Sequence, residues 1–466
     1  MAVFSIFRGL ERARLSLDLV IFEEFRILAT TLQTFFCDLG RELITIKTMD
    51  FKYSLNDRPR AVAMVMYALQ WLLIAVPIVL TSAFVARMQY DTLAEQTLYT
   101  QKLFAVMGLT MIVQSLWGHR LPLVAGPAAV LLVGVMAALD ASPAVIYTSM
   151  AVGGTLVALL AATGWIKKIQ PLFTPRISIV MMALIAFTIV PVFLRLIFAD
   201  ADHYGLSFVM AVVLSIAMAV ANNRLRGMWK SAVVLLALIV GTAAYCAVAG
   251  LPSLEGATAK GVGSLWIAPK FDVGVMLAFL ICYIALLINE LGSIQSVSAF
   301  VEADDVPKRS TRGVALTGVM NIVAGAMGVL GPVDYTLSPG VIAATGCASR
   351  YPLVLTGVGL VLCALFPQLV AVLSAIPSPV MGVVLLYLMA AQVAAAFQMS
   401  GTAAAAKEFN GALTIGLPIM LALVVSFMPA EVSAALPAVL RPIVGNGFVM
   451  GVIVVMVLEH VIFRKK

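Results

Sequence analysis

The chain has 466 residues, of which 62% are hydrophobic and only 11% are charged, and its mean hydropathy is +1.05. Soluble domains carry roughly 25% charged residues, so this composition excludes a secreted enzyme, a nucleic-acid-binding protein and a disulfide scaffold. It indicates an integral membrane protein, in which the net charge of +7 reflects basic residues in cytoplasmic loops.

Residues 1–60 differ from the rest of the chain. They carry nine Lys and Arg residues and contain no apolar run long enough to cross a bilayer. The alternation of Phe4, Phe7 and Leu10 with basic residues suits either an amphipathic helix on the membrane surface or a cytoplasmic appendage. A start codon placed upstream of Met49 would also produce such a segment. A cleavable signal peptide is not expected, because no compact apolar region with a cleavage site follows the charges.

From Ala61 onward the sequence predicts fourteen apolar segments of about the length that a membrane-spanning helix needs. They cover residues 61–86, 103–117, 122–139, 144–163, 177–198, 206–221, 231–249, 272–299, 313–330, 332–345, 351–376, 379–397, 412–428 and 442–463. An even number of spans places both termini in the cytoplasm, and the inside segments then hold 24 Lys and Arg residues against six outside. This bias supports the number of spans and predicts a multi-pass protein of the cytoplasmic membrane.

Segments three and ten are each interrupted by a Gly-Pro pair, Gly126-Pro127 and Gly331-Pro332. Neither is expected to cross as one regular helix, because proline removes a backbone donor and glycine loosens the helix. The two segments stand seven apart among fourteen, and seven is odd, so a second seven-span unit would enter the membrane from the opposite side. This pattern predicts an inverted repeat with a transport site near the midplane, whereas the alternative is two ordinary proline kinks.

Two carboxyl groups lie inside apolar segments and are candidates for function, because burying an ionisable group in a membrane is costly. Glu290 lies in segment eight beside a stripe formed by Asn289, Ser293 and neighbouring small residues, and Asp334 lies in segment ten. Either carboxyl group could take up and release a proton as the site alternates between two aqueous sides, so both are proton-coupling candidates. The alternatives are helix packing through polar residues for the stripe and a loop-end position for Asp334.

The sequence contains no pattern for a cofactor or a metal. The five cysteines form no CxxC pair, and the three histidines are scattered along the chain. The glycine-rich stretch at Gly261 lacks the Gly-Lys-Ser/Thr of a phosphate-binding loop, so ATP-driven pumping is not indicated.

Over about residues 50 to 460 the sequence resembles the nucleobase/ascorbate transporter family, also called nucleobase:cation symporter-2. The most specific match is Ser338-Pro339-Gly340-Val341-Ile342-Ala-Ala-Thr345-Gly346-Cys-Ala-Ser349-Arg350, which is similar to the second half of the family signature. Further matches are Tyr53-Ser-Leu55-Asn-Asp57-Arg58-Pro59, Gln70-Trp71, His119-Arg120-Leu-Pro122, Gly126-Pro127 and Asn289-Glu290-Leu-Gly292-Ser293.

The resemblance implies an all-α polytopic fold of fourteen spans in a 7+7 inverted repeat, with short extended stretches in segments three and ten. A core domain (residues 61–163 and 272–376) would move against a gate domain (residues 177–249 and 379–463) in an elevator-type mechanism, with residues 1–60 as an extension. Family members carry uracil, xanthine or urate with a proton or a sodium ion, usually as homodimers and without a cofactor. They are transporters and not enzymes.

The resemblance also places the substrate site, with departures from the family pattern. Aligned on Gly292, the family's substrate-binding glutamate falls on Asn289, and Glu290 comes one residue later, about 100° round the helix. Trp71 replaces a histidine of the family.

Aligned on Gly340, the family's Glu or Gln of segment ten falls on Leu337, and its Asn partner falls on Ser338. The candidate substrate-binding residues are Gln70, Ala128, Ala129, Asn289, Glu290, Ser293, Asp334, Tyr335, Thr336, Leu337 and Ser338.

Two other functions compete with a proton-coupled nucleobase symporter. An anion transporter resembling the sulfate permeases would share the inverted repeat, but the acids at both candidate positions argue against it. An intramembrane enzyme would need clustered acids or several buried histidines, and the sequence offers neither.

Overall fold

A computed structural model describes residues 51–463, apart from residues 167–173, 226–228, 230–231, 251–263, 336–337, 375, 403–407, 430 and 433–443. The predicted N-terminal extension therefore lies almost entirely outside the described residues. Residues from Lys52 onward belong to one compact unit, and this unit is built from helices with one small sheet.

The first half of this unit contains α1 (Ala61–Gln89), α2 (Leu93–Leu116), β1 (Ala125–Pro127), α3 (Ala129–Ala137), α4 (Pro143–Ala162), α5 (Pro175–Thr188), α6 (Val190–Ile197), α7 (Tyr204–Arg224) and α8 (Val233–Ala249). The second half contains α9 (Val273–Phe300), α10 (Val306–Met327), β2 (Pro332–Asp334), α11 (Ser338–Thr345), α12 (Tyr351–Leu365), α13 (Pro367–Ser374), α14 (Ser378–Thr402), α15 (Phe409–Ser426) and α16 (Gly447–Val457). A single 3₁₀ turn (Ala201–His203) precedes α7, and a π-helical turn (Leu458–Ile462) extends α16.

Each of the fourteen predicted apolar segments falls on one of these helices or on a broken pair. In the described part of the chain, six helical stretches are long and apolar enough to cross a membrane, and α12 with α13 would add a seventh as one bent span. Many apolar side chains on the outside of α7 are exposed, as expected where a helix faces lipid instead of water.

The two segments with a Gly-Pro pair are broken in the same way. Each consists of a three-residue strand followed by a short helix, β1 with α3 and β2 with α11. The strands pair antiparallel, with Ala125 opposite Asp334 and Pro127 opposite Pro332. The extended stretches expected in segments three and ten are therefore present, and they meet each other inside the helical unit.

Two further breaks were not expected from the sequence. The helix pair α12 and α13 bends by 95°, because Pro367 begins α13 and cannot continue the hydrogen-bond pattern of α12. Pro191 occupies the first turn of α6 and similarly separates it from α5. Both prolines lie inside predicted apolar segments, Pro191 in 177–198 and Pro367 in 351–376.

Glycines allow the helices around the small sheet to cross closely. A Cβ added at Gly318 of α10 would lie 2.5 Å from the backbone N of Ala158 and 2.8 Å from the carbonyl of Gly154, both on α4. The crossing of α2 and α12 is equally tight, because a Cβ at Gly108 would lie 2.5 Å from the carbonyl of Gly357. Small residues at such crossings let helix backbones pack directly in a membrane.

The segment before α1 is attached to the segment that follows α11. Tyr53 forms a parallel bridge with Cys347, and its carbonyl accepts a hydrogen bond from the Ala348 N–H at 2.9 Å. The Ser349 hydroxyl donates to the carbonyl of Asp57 at 2.6 Å. Two of the sequence motifs that carry the family resemblance are thus neighbours in space, although almost 300 residues separate them.

We expect Gly318→Ala to destabilise the protein by about 1–3 kcal/mol, the usual cost of overpacking a close contact. The added methyl group would meet backbone atoms, which cannot move aside as a flexible side chain can. The measurement is the thermal transition of the protein in detergent. Gly416→Ala on α15 is the matched control, since nothing lies within 4 Å of its Cβ position, and an equal loss in both variants would contradict the interpretation.

Candidate functional site

Helix α9 holds the backbone of β2 at Asp334. The Asp334 N–H donates to Glu290 Oε2 at 2.9 Å, and the Asp334 carbonyl accepts from the Ser293 hydroxyl at 2.9 Å and from Asn289 Nδ2 at 3.4 Å. Both backbone groups of this buried residue are therefore satisfied by one face of α9. Asn289 and Glu290, which the alignment left as alternatives, both face β2.

The Glu290 carboxylate is completely buried and bonded at both oxygens. Oε2 accepts from the Asp334 backbone, and Oε1 accepts from the Thr317 hydroxyl of α10 at 2.6 Å. That hydroxyl in turn accepts from Gln114 Nε2 of α2 at 2.8 Å, so its hydrogen points at Glu290. Glu290 therefore connects α9 directly to α10 and to β2, and through the Thr317 hydroxyl to α2.

Asn321, one turn after Thr317 on α10, completes the support of β2. Its Nδ2 donates to the carbonyls of Pro332 at 2.9 Å and Thr317 at 2.7 Å, while its Oδ1 accepts from the Tyr283 hydroxyl at 2.8 Å. A Cβ at Gly331 would lie only 1.8 Å from Asn321 Oδ1. The glycine of the Gly-Pro pair is thus required by the close approach of this amide to the backbone.

His119 brings a third ionisable group to the buried network. Its ring is fully buried, with Nε2 3.1 Å from Asp334 Oδ2. This distance is within ion-pair range, but the atoms lie outside hydrogen-bond geometry, and in the described residues no donor group is bonded to the Asp334 carboxyl oxygens. His119 Nδ1 accepts from the Leu121 N–H at 2.9 Å, and its own backbone N–H donates to Gln114 Oε1 at 3.4 Å.

Two arginines hold the end of α2 and the loop after it, which carries His119. Arg309 of α10 donates to the carbonyls of His119 at 3.1 Å and Arg120 at 3.2 Å, and Arg350 donates to the carbonyl of Ser115 at 2.8 Å. Arg120 has a φ of 57°, a left-handed conformation that costs a residue other than glycine of order 1–3 kcal/mol. The surrounding hydrogen bonds offset this cost and fix the direction of the His119 ring.

Arg309 is itself positioned by the loop between α9 and α10. Its Nη2 donates to Asp304 Oδ1 at 2.5 Å, and its Nε donates to the carbonyl of Asp304 at 2.7 Å. The hydrogen bond from Arg309, followed by its positive charge, lowers the pKa of the Asp304 carboxyl group. Asp304 therefore remains ionised and keeps Arg309 directed toward the His119 loop.

The two short helices begin next to the paired strands. Ala128, completely buried, is the residue before α3, and no side chain caps the first N–H groups of this helix. At the start of α11 the Ser338 hydroxyl accepts from the Val124 N–H at 3.1 Å and donates to the carbonyl of Tyr335 at 3.3 Å. The Tyr335 hydroxyl donates to the carbonyl of Pro127 at 2.7 Å and so links the two broken segments.

The structure brings most of the predicted site residues together. Asn289, Glu290, Ser293, Asp334, Tyr335 and Ser338 are joined by the hydrogen bonds described above, and Ala128 and Ala129 lie where β1 passes into α3. Thr336 and Leu337 lie outside the described residues. Ser338 begins α11 and therefore does not continue the extended backbone of β2.

Gln70 is not part of this hydrogen-bonded set. It is half-buried on α1, and its Oε1 has no hydrogen-bond partner among the described residues. It lies eight residues before Ile78, the α1 side chain nearest to Gly126 of β1, which corresponds to about 12 Å along a helix. Its role in binding stays a prediction.

The predicted site does not include Gln114, Thr317, Asn321 or His119, although His119 belongs to one of the motifs that carry the family resemblance. The available signal was the polarity of Thr317 and Asn321, spaced four apart inside apolar segment nine. This spacing places them on one helix face but does not identify the partner. A cavity of about 450 Å³ lies elsewhere, between α3, α6, α15 and the start of α16, and Arg195 is its charged lining residue.

Comparison with known proteins identifies the family. The family model of a permease family matches residues 62–431, which is most of the chain. The chain belongs to the xanthine/uracil permease family. It is therefore a multi-pass membrane protein of a family of nucleobase permeases, as the resemblance implied, and its relatives are transporters.

Two relatives and one solved structure show the extent of the similarity. A Clostridium perfringens (strain 13 / Type A) protein, provisionally named a purine permease, is 28% identical over 318 residues, covering 64% of this chain and 67% of the relative. The uric acid permease PucJ of Bacillus subtilis (strain 168) is 24% identical over 320 residues, covering 66% and 70%. The transmembrane domain of the cyanobacterial bicarbonate transporter BicA has the same fold, with a TM-score of 0.60 at 15% identity over 80% of this chain and 97% of that one.

We expect Thr317→Val to destabilise the protein by about 1–3 kcal/mol, because the buried Gln114 amide and Glu290 carboxylate would each lose a hydrogen-bond partner. Thermal unfolding in detergent measures the effect. Thr311→Val on the same helix is the control, since that hydroxyl bonds only to the carbonyl of Pro307 at an exposed position. Equal stability of the two variants would show that the network contributes little.

Proposed function

We propose that the protein is a secondary active transporter that carries a nucleobase of the xanthine or urate type, together with a proton, across the cytoplasmic membrane. The observation that carries the proposal is the meeting of two broken spans at a helix bearing Asn289 and Ser293. Discontinuous helices whose N-terminal ends meet near the midplane are the usual form of a substrate site in such transporters. The names of the relatives support a purine base as the substrate.

The proposed site uses two kinds of hydrogen-bonding group. The Asn289 amide is half-buried and bonded to Asp334 only at 3.4 Å, so it is available to donate to and accept from the polar edge of a base. The Ala128 N–H already donates to the carbonyl of Gly331 at 2.9 Å, so the uncapped N–H groups of α3 from Ala129 onward would donate to the base carbonyls. Gly292 and Ser296 on the same side of α9 are exposed, which leaves room beside Asn289.

The packing of the helices supports the proposed inverted repeat. Helix α10 packs on α4, and α12 packs on α2, which are equivalent pairs if each span is related to the span seven positions later. Helices α5, α14, α15 and α16 pack mainly on one another. We therefore assign residues 61–163 and 272–376 to a core domain and residues 177–249 and 379–463 to a gate domain, between which the 450 Å³ cavity lies.

In the proposed mechanism the core domain carries the base from one side of the membrane to the other while the gate domain stays in place. Glu290 and Asp334 are the coupling candidates, because their carboxyl groups lie next to the proposed base site and are shielded from water. Both termini lie in the cytoplasm, and the protein functions as a homodimer. These assignments carry over to this chain what is expected of the family.

The first test is uptake into proteoliposomes of labelled xanthine, urate, uracil, sulfate and bicarbonate, each with and without an inward proton gradient. We expect the gradient to stimulate uptake of xanthine or urate. Uptake of sulfate or bicarbonate without any base would assign the protein to the anion transporters instead. Failure of folded, inserted protein to move any of the bases would overturn the proposed function.

We expect Asn289→Ala to raise the KM for the transported base about 10-fold, the effect of losing one or two hydrogen bonds to a polar edge. Its measurement is the concentration dependence of initial uptake. Ser215→Ala on α7 is the control, because Ser215 bonds only to carbonyls of its own helix. An unchanged KM in Asn289→Ala would remove this residue from the site.

A further inference from the structure

The two buried carboxyl groups of the site have different surroundings. Glu290 accepts a hydrogen bond at each oxygen, from the Thr317 hydroxyl and the Asp334 N–H. Hydrogen bonds donated to a carboxylate favour its ionised form. The Asp334 carboxyl oxygens, in contrast, are bonded to no donor group among the described residues, and they face Glu290 and the His119 ring. Of the two acids, Asp334 is therefore the one whose carboxyl oxygens are available to bind a proton.

The hydrogen bonds of His119 fix the position of its ring proton. Nδ1 accepts the Leu121 N–H at 2.9 Å, so in the neutral ring the proton lies on Nε2. Nε2 is the atom that lies 3.1 Å from Asp334 Oδ2. His119 therefore presents a donor to the Asp334 carboxyl group, and Nδ1 cannot take a second proton without losing the bond to Leu121.

The other charged groups near this pair come from three elements. Glu290 faces it from α9. Arg309 of α10 reaches the carbonyls of the His119 loop and is paired with Asp304. Arg120 follows His119 in the loop and donates to the carbonyl of Leu116. Neither arginine side chain is hydrogen-bonded to the Asp334 carboxyl oxygens, so His119 is the adjacent donor.

Given the proposed function, on which this inference rests, we propose that Asp334 takes up and releases the coupling proton. Glu290 stays ionised as the anchor of β2. His119 is a positioning residue that stabilises the ionised Asp334 carboxylate. On the loading side a proton from water binds an Asp334 carboxylate oxygen and gives the neutral acid, and on the other side the same O–H bond breaks and the proton returns to water. His119 keeps one ring proton throughout, and its Nε2–H, which lies 3.1 Å from Oδ2 but outside hydrogen-bond geometry in this structure, turns to donate to Asp334 when that carboxyl group is ionised.

This assignment predicts the sign of a pH effect. Removing the His119 donor disfavours the ionised carboxylate, so Asp334 would hold its proton to higher pH. Proton-driven uptake, which requires the protonated form on the loading side, would then decline at a pH about one to two units higher than in the unmodified protein.

The test compares two substitutions of nearly equal polarity. His119→Asn retains an acceptor for the Leu121 N–H and so preserves the loop, but its side chain is too short to reach Asp334. His119→Gln places an amide N–H near the position of Nε2. We expect the midpoint of proton-driven uptake against external pH to rise by one to two units in His119→Asn and to remain near that of the unmodified protein in His119→Gln.

His203→Gln is the matched control, because His203 pairs with Asp200 at 3.0 Å in a half-exposed position outside the site. The midpoint of proton-driven uptake against external pH should not change in His203→Gln. Infrared difference spectra of the reconstituted proteins, recorded across the same pH range, report the protonated carboxyl band directly. We expect the pH midpoint at which this band disappears to be higher in His119→Asn, and we expect the band to be absent in Asp334→Asn.

The outcomes separate this inference from the proposed function. If no base is taken up with protons by the unmodified protein at any pH, the proposed function fails whatever His119 does. If uptake is proton-coupled but the midpoint and the infrared titration of His119→Asn match those of the unmodified protein, the role of His119 is overturned. Loss of coupling in a folded Glu290→Gln variant, with coupling kept in Asp334→Asn, would overturn the assignment of the proton to Asp334.

Discussion

The arrangement of the site depends on the complete pairing of the buried Glu290 carboxylate. A carboxyl group buried in a membrane protein is costly unless its oxygens are hydrogen-bonded, and here the donors come from Thr317 on α10 and from the backbone of β2. Two strands of three residues would not be stable as an isolated pair. The bonds from α9 therefore hold β2 in place, and β2 in turn holds β1.

This constraint explains why the rest of the network has its present form. Gln114 orients the Thr317 hydroxyl toward Glu290, and the same amide receives the backbone N–H of His119. The network thus closes on itself, from α2 through α10 and α9 to β2 and back through the His119 loop. Because a partly satisfied buried network is costly, the side chains that complete it have little freedom to change independently.

The fold alone does not decide what is transported. The bicarbonate transporter BicA has the same fold at 15% identity, so the substrate must be argued from the residues at the broken spans. Here the half-buried Asn289 amide and the uncapped start of α3 offer hydrogen bonds, while the nearby carboxyl groups disfavour a small inorganic anion. The relatives named as purine and uric acid permeases agree with this reading of the site.

The sequence by itself determined the membrane location, the apolar segments, the interruptions at Gly126-Pro127 and Gly331-Pro332, and the family, because these depend on local composition and short motifs. It also identified Glu290 and Asp334 as unusual buried acids. It did not reveal the bend at Pro367, the closed network through Gln114 and Thr317, or the approach of His119 to Asp334. Helical periodicity shows which residues share a face, but contacts between residues some 200 positions apart depend on how the helices cross. Only the tertiary structure decided that Asn289 and Glu290 both bind β2, since the N–H and the carbonyl of Asp334 both face that helix.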